Sequence, residues 1–249
     1  MRLKLRFGLR SLLIFVTLAA AVLGWLGLRI REGQRQKEVY LELFRRGHSA
    51  DWSHYELVAL PGRTPNAELR STLPVWLERT PLAAAVHRID KVTIRGDGPA
   101  AYHKAIRLLA ELGHVRTVSV YGQAFSEADL ERLLAAVQIK QLYLERAQLP
   151  RGRIPSLTSQ KLTWLCVAQT QFSDPAIADL PASLIYFDAT RTRISDRGLA
   201  GFVRLTRLKS LDLSRTPTSQ AAIEMLRQDM PWCEVHWEPL VQQPPGPDG

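Results

Sequence analysis

The chain has 249 residues, of which 46% are hydrophobic and 23% charged, and its formal net charge is +9 at neutral pH. Residues 1–38 hold eight cations and two acids, or +6, so the rest of the chain holds 25 cations and 22 acids, or only +3. This nearly neutral remainder lacks the basic footprint of a nucleic-acid-binding domain, and we expect no nucleic-acid partner. The length fits one domain of ordinary size with a small additional segment.

The N-terminus has the composition of a membrane anchor. Residues 1–10 form a basic head with four cations and no acid, and residues 12–28 are apolar except for Thr17. A helix of this length at about 1.5 Å per residue spans roughly 26 Å, enough for a bilayer core. We therefore predict a transmembrane anchor over residues 11–29. A cleaved signal peptide with an A-x-A site at Ala19–Ala21 is the alternative, although apolar residues continue beyond that site.

The charges beside the span say little about its orientation, because four cations precede it and four follow it. The N-terminal amine then favours a cytoplasmic head. We expect a single-pass cell-membrane protein whose remaining domain is extracytoplasmic. Ala20, Gly24 and Gly27 share one helix face, through which two copies could associate weakly as a homodimer.

A linker helix is predicted over residues 30–48. Val39, Leu41, Leu43 and Phe44 form its apolar stripe, and Gly47 is a typical C-terminal glycine.

Residues 49–88 are the predicted N-terminal cap of the domain that follows. Within them, the pattern predicts one strand between Ser49 and Leu60, a polar loop over Pro61–Leu73 and two short helical turns over Pro74–Val86.

Residues 89–237 repeat a short apolar frame. Aligning Leu184 with Leu208 superposes Phe187 on Leu211, giving a repeat of 24 residues with apolar positions 1, 4 and 6. The first positions of seven such frames lie 22 to 26 residues apart, a period typical of strand-plus-helix solenoids. The seven frames are Ile89/Val92/Ile94, Val115/Val118/Val120, Ile139/Leu142/Leu144, Leu162/Leu165/Val167, Leu184/Phe187/Ala189, Leu208/Leu211/Leu213 and Met230/Cys233/Val235.

Three of the segments that connect successive frames have the same sequence pattern for the start of a helix. Ser126, Ser173 and Ser195 each follow an apolar residue and precede another four positions later, so we expect each serine to be an N-cap with a hydrophobic staple.

These frames resemble the leucine-rich repeat family, whose pattern is LxxLxLxxN. The most specific piece is Thr192–Leu199, T-R-I-S-D-R-G-L. The resemblance implies an α/β leucine-rich repeat solenoid over residues 89–237, with a parallel β-sheet and helical or irregular returns. A threonine hydroxyl can take over the backbone bond of the family's usual turn Asn. That Asn is replaced by Asp97, Gln123, Ala147, Thr170, Thr192 and Thr216.

The whole arrangement of head, single span, linker, cap and repeats is similar to that of membrane-anchored leucine-rich repeat proteins of planctomycete bacteria. Residues 238–249, rich in proline and glutamine, are predicted to be a disordered tail.

Side chains between the core positions of each strand line the exposed face of the sheet. Aromatic residues beside charge are typical of a protein-binding surface. We therefore predict that this face binds an unidentified protein of basic or amphipathic character. Asp188, Asp212 and Glu234 are expected to form a ladder of like charges there. The predicted binding residues are Tyr143, Trp164, Tyr186, Asp188, Asp212, Trp232 and Glu234.

Motifs for chemistry are not found in the sequence. The six histidines form no HExxH motif, and no glycine-rich phosphate loop follows a strand. Cys166 and Cys233 fall in non-neighbouring repeats, so we expect no disulfide and weakly reactive thiols. We predict no metal site, no cofactor and no enzymatic activity. Two alternatives remain: a structural envelope scaffold or spacer without a specific ligand, and a hydrolase.

Overall fold

The computed structural model describes residues 9–52, 55–59, 67–71, 73–86, 88–96, 98–149 and 154–240. Nearly all of the basic head, and residues 241–249 of the predicted tail, lie outside these ranges. The chain is mixed α/β, as expected, with one eight-stranded sheet and one separate pair of strands. It divides into two compact units, Met1–Tyr40 with Trp52–Arg88 and Leu41–Asp51 with Ile89–Gly249.

A single long helix, α1, runs over Leu9–Arg45. Its stretch Leu12–Arg45 is long and apolar enough to cross a membrane: the most apolar window has a mean hydropathy of 2.1, and none of that window is buried. Near the N-terminus, a signal sequence has these same properties. The helix ends where Gly47 adopts a φ of 79°, with the amides of Gly47 and His48 bonded to the carbonyls of Phe44 and Leu43, which confirms the predicted glycine C-terminus.

The apolar stripe at the end of α1 differs from the prediction. Val39 and Leu43 are buried, but Leu41 and Phe44 are 43% and 64% exposed, and Tyr40 is buried instead. Gly33 is buried as well, so the packed face follows the helical period from residue 33 to residue 43.

The segment after α1 begins with β1 (Ser49–Trp52). An antiparallel pair follows, β2 (Tyr55–Ala59) and β3 (Ala67–Ser71), where we expected one strand and a polar loop. The strand β3, A-E-L-R-S, has too little apolar content to stand out from a loop in the sequence. The two predicted helical turns are confirmed as α2 (Val75–Glu78) and α3 (Ala83–Val86).

The second unit places the repeat strands side by side in chain order, after β1 at the edge of the sheet. Every two neighbouring strands from β4 to β10 are parallel, so a crossover segment must join each strand to the next one. The strands are β4 (Ile89–Arg95), β5 (His114–Tyr121), β6 (Gln138–Glu145), β7 (Trp164–Cys166), β8 (Tyr186–Asp188), β9 (Ser210–Asp212) and β10 (Glu234–His236). The crossovers contain α4 (Pro99–Leu112), α5 (Glu127–Ala136), α6 (Gln220–Asp229) and three 3₁₀ helices at Pro155–Ser159, Asp174–Asp179 and Asp196–Phe202.

The apolar residues at position 4 of the frames form one continuous row across this sheet. Each pairs directly with the next, and none is more than 6% exposed. Burying a side chain of this size contributes about 1.5–3 kcal/mol relative to exposure. The row therefore stabilises the stacking of successive strands. Its members are Val92, Val118, Leu142, Leu165, Phe187, Leu211 and Val235.

The turns after β6, β7, β8 and β9 repeat the same backbone geometry. Four non-glycine residues at position 8 have φ between 55° and 59°, a left-handed conformation that costs an L-residue roughly 1–2 kcal/mol. These residues are Arg146, Gln169, Arg191 and Arg215. The threonine that follows donates its hydroxyl to the carbonyl three residues earlier, at 2.6 Å for Thr170, 2.7 Å for Thr192 and 2.6 Å for Thr216. The expected replacement of Asn by Thr is therefore confirmed at these three turns.

The three predicted N-cap serines differ in the hydrogen bonds that their side chains make. Ser126 caps α5, as the sequence predicts, and it also forms a capping box with Asp129, which was not predicted. Ser173 and Ser195 precede 3₁₀ helices and make no side-chain cap bond to them. Ser195 bonds to Asp174 of the preceding repeat instead.

The last strand is two residues out of the predicted register. Val235 pairs with Leu211, and His236 with Asp212, so position 4 of the seventh frame is Val235 and not Cys233. The amide of Glu234 donates to the carbonyl of Lys209 at 2.8 Å, which fixes this alignment. A slip of two residues leaves every side chain on its original face, so alternation alone does not reveal it.

Candidate interaction surface

The face of the sheet opposite the core row displays two columns of side chains. Successive members of a column come from neighbouring strands, which lie about 4.8 Å apart. The first column, at position 3, consists of Lys91, Thr117, Gln141, Trp164, Tyr186, Ser210 and Glu234. The second column, at position 5, consists of Thr93, Ser119, Tyr143, Cys166, Asp188, Asp212 and His236.

Three predicted binding residues meet in the middle of this face. The ring centroids of Trp164 and Tyr186 lie 4.6 Å apart and those of Tyr143 and Trp164 lie 6.0 Å apart, with the planes tilted by 30° and 31°. Tyr186 is 40% exposed, and the other two are half-buried. We call these three residues the aromatic ladder. Their partial exposure leaves apolar ring surface available for contact with a partner.

Asp188 and Asp212 stand beside the aromatic ladder in directly paired positions of the second column. Each carboxylate accepts a hydrogen bond from the amide two residues later, Thr190 at 2.9 Å and Ser214 at 2.8 Å. Both side chains remain half-exposed, so this part of the face is acidic.

Glu234 and Trp232 do not lie where the sequence predicted them. Glu234 pairs with Ser210 in the first column, and the predicted ladder of three carboxylates is therefore wrong: Asp212 has His236 as its next neighbour. The Glu234 carboxylate lies 3.5 Å from His236 Nε2, and 74% of its side chain is exposed. Trp232 is 42% exposed but precedes β10, two residues before the pair to Ser210, and so lies outside both columns.

The end of the aromatic ladder is open toward β9. Tyr186 stacks on Trp164 on one side, and its next neighbour in the first column is Ser210, whose side chain is too short to cover a phenol ring. Asp188, Asp212 and Glu234 border this position. A guanidinium or ammonium group on the Tyr186 ring would gain a cation–π contact together with the attraction of these carboxylates.

Cys166 lies between the aromatic ladder and the acids but is 9% exposed. Its Sγ donates to Asp188 Oδ2 at 3.3 Å, and burial raises the pKa of the thiol to about 12. Burial also raises the pKa of the Cys233 thiol to about 11 and raises the pKa of the Tyr143 phenol. These groups stay protonated at neutral pH, so the aromatic ladder contributes no charge of its own.

The sequence interpretation missed a third column, at position 7. Arg95, Tyr121 and Glu145 are paired across β4, β5 and β6, and the Arg95 guanidinium lies 5.8 Å from the centroid of the Tyr121 ring. With the turns that follow, they border a shallow cleft of about 520 Å³. The same alternation that defines positions 3 and 5 continues to position 7, so the sequence contained the signal for these residues.

Comparison with known proteins finds similarity among solved structures alone. No protein-family model matches the chain, and no curated protein is similar to it. Among solved structures, a leucine-rich repeat protein of Leptospira interrogans is similar at 17% identity, with a TM-score of 0.38. The alignment covers 53% of this chain and 33% of that protein, so this chain spans about a third of its length. A likeness of this size does not decide the fold, which is defined by the strand register and repeated turns described above.

Proposed function

We propose that this chain is a membrane-anchored leucine-rich repeat solenoid that binds another protein through the face carrying the aromatic ladder. The observation that carries the proposal is the stack of Tyr143, Trp164 and Tyr186 beside two paired carboxylates on the open face of the sheet. Buried aromatic anchors surrounded by polar groups supply most of the energy in protein interfaces. The three rings therefore mark the centre of the contact.

The solenoid itself is supported by the identical turns that follow four successive strands and by a parallel sheet in chain order. Each unit of that kind buries its apolar residues against its neighbours, which leaves one broad face of strands for binding. The arrangement of head, span, linker, cap and repeats is also similar to that of membrane-anchored leucine-rich repeat proteins of planctomycete bacteria.

Membrane anchoring is supported by the exposed apolar side chains of α1 between Leu12 and Leu28. Ten of them are 51% to 68% exposed: Leu12, Leu13, Ile14, Phe15, Val16, Leu18, Val22, Leu23, Trp25 and Leu28. A lipid bilayer would bury this surface. We place the cationic head in the cytoplasm and the repeats outside it.

The acidic surroundings of the aromatic ladder define the class of partner. Asp188, Asp212 and Glu234 lie within three neighbouring strands, so a basic or amphipathic segment would be electrostatically favoured. Steering by these charges would make association faster at low ionic strength.

We propose no catalytic role. The described residues Ser126, His103 and Asp129 lie together, but the Ser126 hydroxyl donates to Asp129 at 2.7 Å, and His103 Nε2 lies 2.8 Å from the same carboxylate. Both groups thus contact Asp129 instead of each other, and this carboxylate caps α5. A nucleophile requires direct contact with its base.

The proposal is tested by affinity capture from membranes with the full-length chain and a variant carrying Tyr143→Ala, Trp164→Ala and Tyr186→Ala. Recovery of a specific partner should fall at least about tenfold, as expected for the loss of several anchors. A matched control replaces Gln220, Glu224 and Met225, all exposed on α6, with Ala and should retain the partner.

The alternative of an inert scaffold predicts equal recovery with all three proteins. Because the triple variant removes packing as well as contact surface, Ser210→Arg provides a second test. It places a cation beside Tyr186, and a folded S210R protein that still captured a basic partner would contradict the proposal.

A further inference from the structure

The short helix α3 of the first unit contacts α1 just beyond the apolar part of that helix. A Cβ atom added at Gly33 would lie 1.6 Å from the carbonyl oxygen of Ala84, which means that the backbones of α1 and α3 touch at this point. Only glycine allows so close an approach. Ala84 of α3 is thereby held against a defined turn of α1.

This turn lies at the expected surface of the bilayer. The apolar run ends at Leu28, and Gly33 follows five residues later, which is about 7.5 Å further along the helix axis. The head-group layer on each side of a bilayer is roughly 5–7 Å thick. On either side of Leu28, Trp25 and Arg29 contact each other: the Arg29 guanidinium lies 5.4 Å from the centroid of the Trp25 ring. A Trp and an Arg at this level are typical of a membrane interface.

The same segment exposes large apolar side chains. Val75 and Trp76 of α2 are 62% and 69% exposed, and α2 has no buried residue. Leu82 and Val86 nearby are 37% and 39% exposed. Trp76 precedes Ala84 by eight residues, so it lies within about 12–25 Å of Ala84, depending on how extended the chain is.

We infer that Val75 and Trp76 insert into the head-group layer of the bilayer that α1 crosses, so that the first unit contacts the membrane at two places. This inference rests on the proposed transmembrane span. Tryptophan is enriched at this depth because its ring prefers an environment that is apolar at one end and hydrated at the other. The backbone contact of Gly33 with Ala84 ties the chain that follows the patch to α1 only five residues beyond its apolar run, which favours lipid as the occupant of the patch.

Fluorescence quenching in liposomes tests the inference with the full-length chain. A Trp76→Cys variant, made with Cys166→Ala and Cys233→Ala, is labelled with an environment-sensitive dye and reconstituted into phosphatidylcholine and phosphatidylglycerol. Met225→Cys, a position 65% exposed in the second unit, serves as the control. A nitroxide on the lipid head group should quench the dye at 76 at least about twofold more than the dye at 225, and aqueous iodide should quench 225 more strongly.

Separate outcomes distinguish a failure of the patch from a failure of the anchor. An Ala20→Cys variant reports on the span, and quenching of its dye by a nitroxide in the acyl chain is expected. If position 20 is quenched but position 76 responds like position 225, the patch does not touch lipid and the inference is wrong. Protection of position 76 from both lipid and aqueous quenchers would place protein over the patch and would also overturn it. An unquenched position 20 would remove the span and, with it, the inference.

Discussion

Asp174 accepts two hydrogen bonds from Ser195, one repeat later in the chain: its Oδ1 lies 2.8 Å from the Ser195 amide and its Oδ2 lies 2.6 Å from the hydroxyl. Asp196 makes the same pair of bonds to Ser219, at 2.7 and 2.8 Å. These charge-assisted bonds connect consecutive turns outside the sheet. At Ser219 the series ends, because the next residue is Gln220 and not an acid.

Replacement of Asp174 by Ala should lower the free energy of unfolding by about 1–3 kcal/mol, since it removes both bonds and leaves the Ser195 amide without its acceptor. Urea titration of the detergent-solubilised chain, monitored by circular dichroism, measures this loss. Asp229→Ala, at an exposed position at the end of α6, is the control and should change stability by less than about 0.5 kcal/mol. Equal losses from the two variants would argue against a role of the Asp174–Ser195 pair.

The left-handed conformation of Arg191 predicts that two substitutions there change the free energy of unfolding in opposite directions. Arg191 has φ of 55° and an exposed side chain, and its amide bonds to the Ser214 carbonyl at 2.9 Å. Arg191→Gly should therefore raise the unfolding free energy by about 0.5–1 kcal/mol, because glycine adopts this conformation without a steric cost. Arg191→Val should lower it by more than about 1 kcal/mol, because a β-branched residue is strongly disfavoured there. Thermal melts of both variants check the order, and a stabilising valine would contradict the turn geometry.

His48 should make stability depend on pH. The side chain is 3% exposed, and burial lowers the pKa of its imidazole below 6.5. A folded-state pKa below the unfolded value gives stability that is present above pH 6.5 and is lost as the pH falls through 6.5 toward the folded-state pKa.

The Nδ1 of His48 also lies 3.4 Å from the Arg95 amide, so His48→Asn keeps an acceptor and removes the titration. Urea midpoints between pH 7.5 and pH 5 should fall more for the wild type than for H48N. A parallel fall in both proteins would show that other groups cause the pH dependence.

The Cys166 thiol should be slow to react. Burial raises its pKa to about 12, and iodoacetamide reacts with the thiolate, so very little reactive form exists at pH 8. We expect alkylation to be at least about tenfold slower in the folded chain than in urea, where the thiol returns to its ordinary pKa. Peptide mass spectrometry at timed intervals separates Cys166 from Cys233. Rapid modification of Cys166 in the folded protein would mean that the space between Trp164 and Asp188 is open to water.

Much of this arrangement could be predicted from the residues themselves. The apolar frame identifies the buried row from Val92 to Leu211, and the Ser126 cap follows from its local pattern with Phe125 and Leu130. The buried row and the cap depend on interactions within one repeat or between identical positions of neighbouring repeats. A periodic sequence predicts such interactions directly.

The errors have physical causes as well. Met230, Cys233 and Val235 fit the frame and are all buried. The apolar pattern is therefore compatible with Cys233 at position 4, but the strand pairing of β10 places Val235 there. The members of the aromatic ladder lie on one face of the sheet, as the alternation predicts, because they belong to strands with an unambiguous register. Glu234 and Trp232 were misplaced because they lie in or just before β10, whose register the sequence leaves open.

The most direct test of the proposed binding face is photocrosslinking in native membranes. A benzophenone amino acid is introduced at Tyr186, at the open end of the aromatic ladder, or at Met225 on α6 as the control. The account predicts a discrete adduct with a second protein from position 186, absent from position 225 and lost when Ser210→Arg is added. No adduct at 186, or the same adduct from both positions, would contradict it.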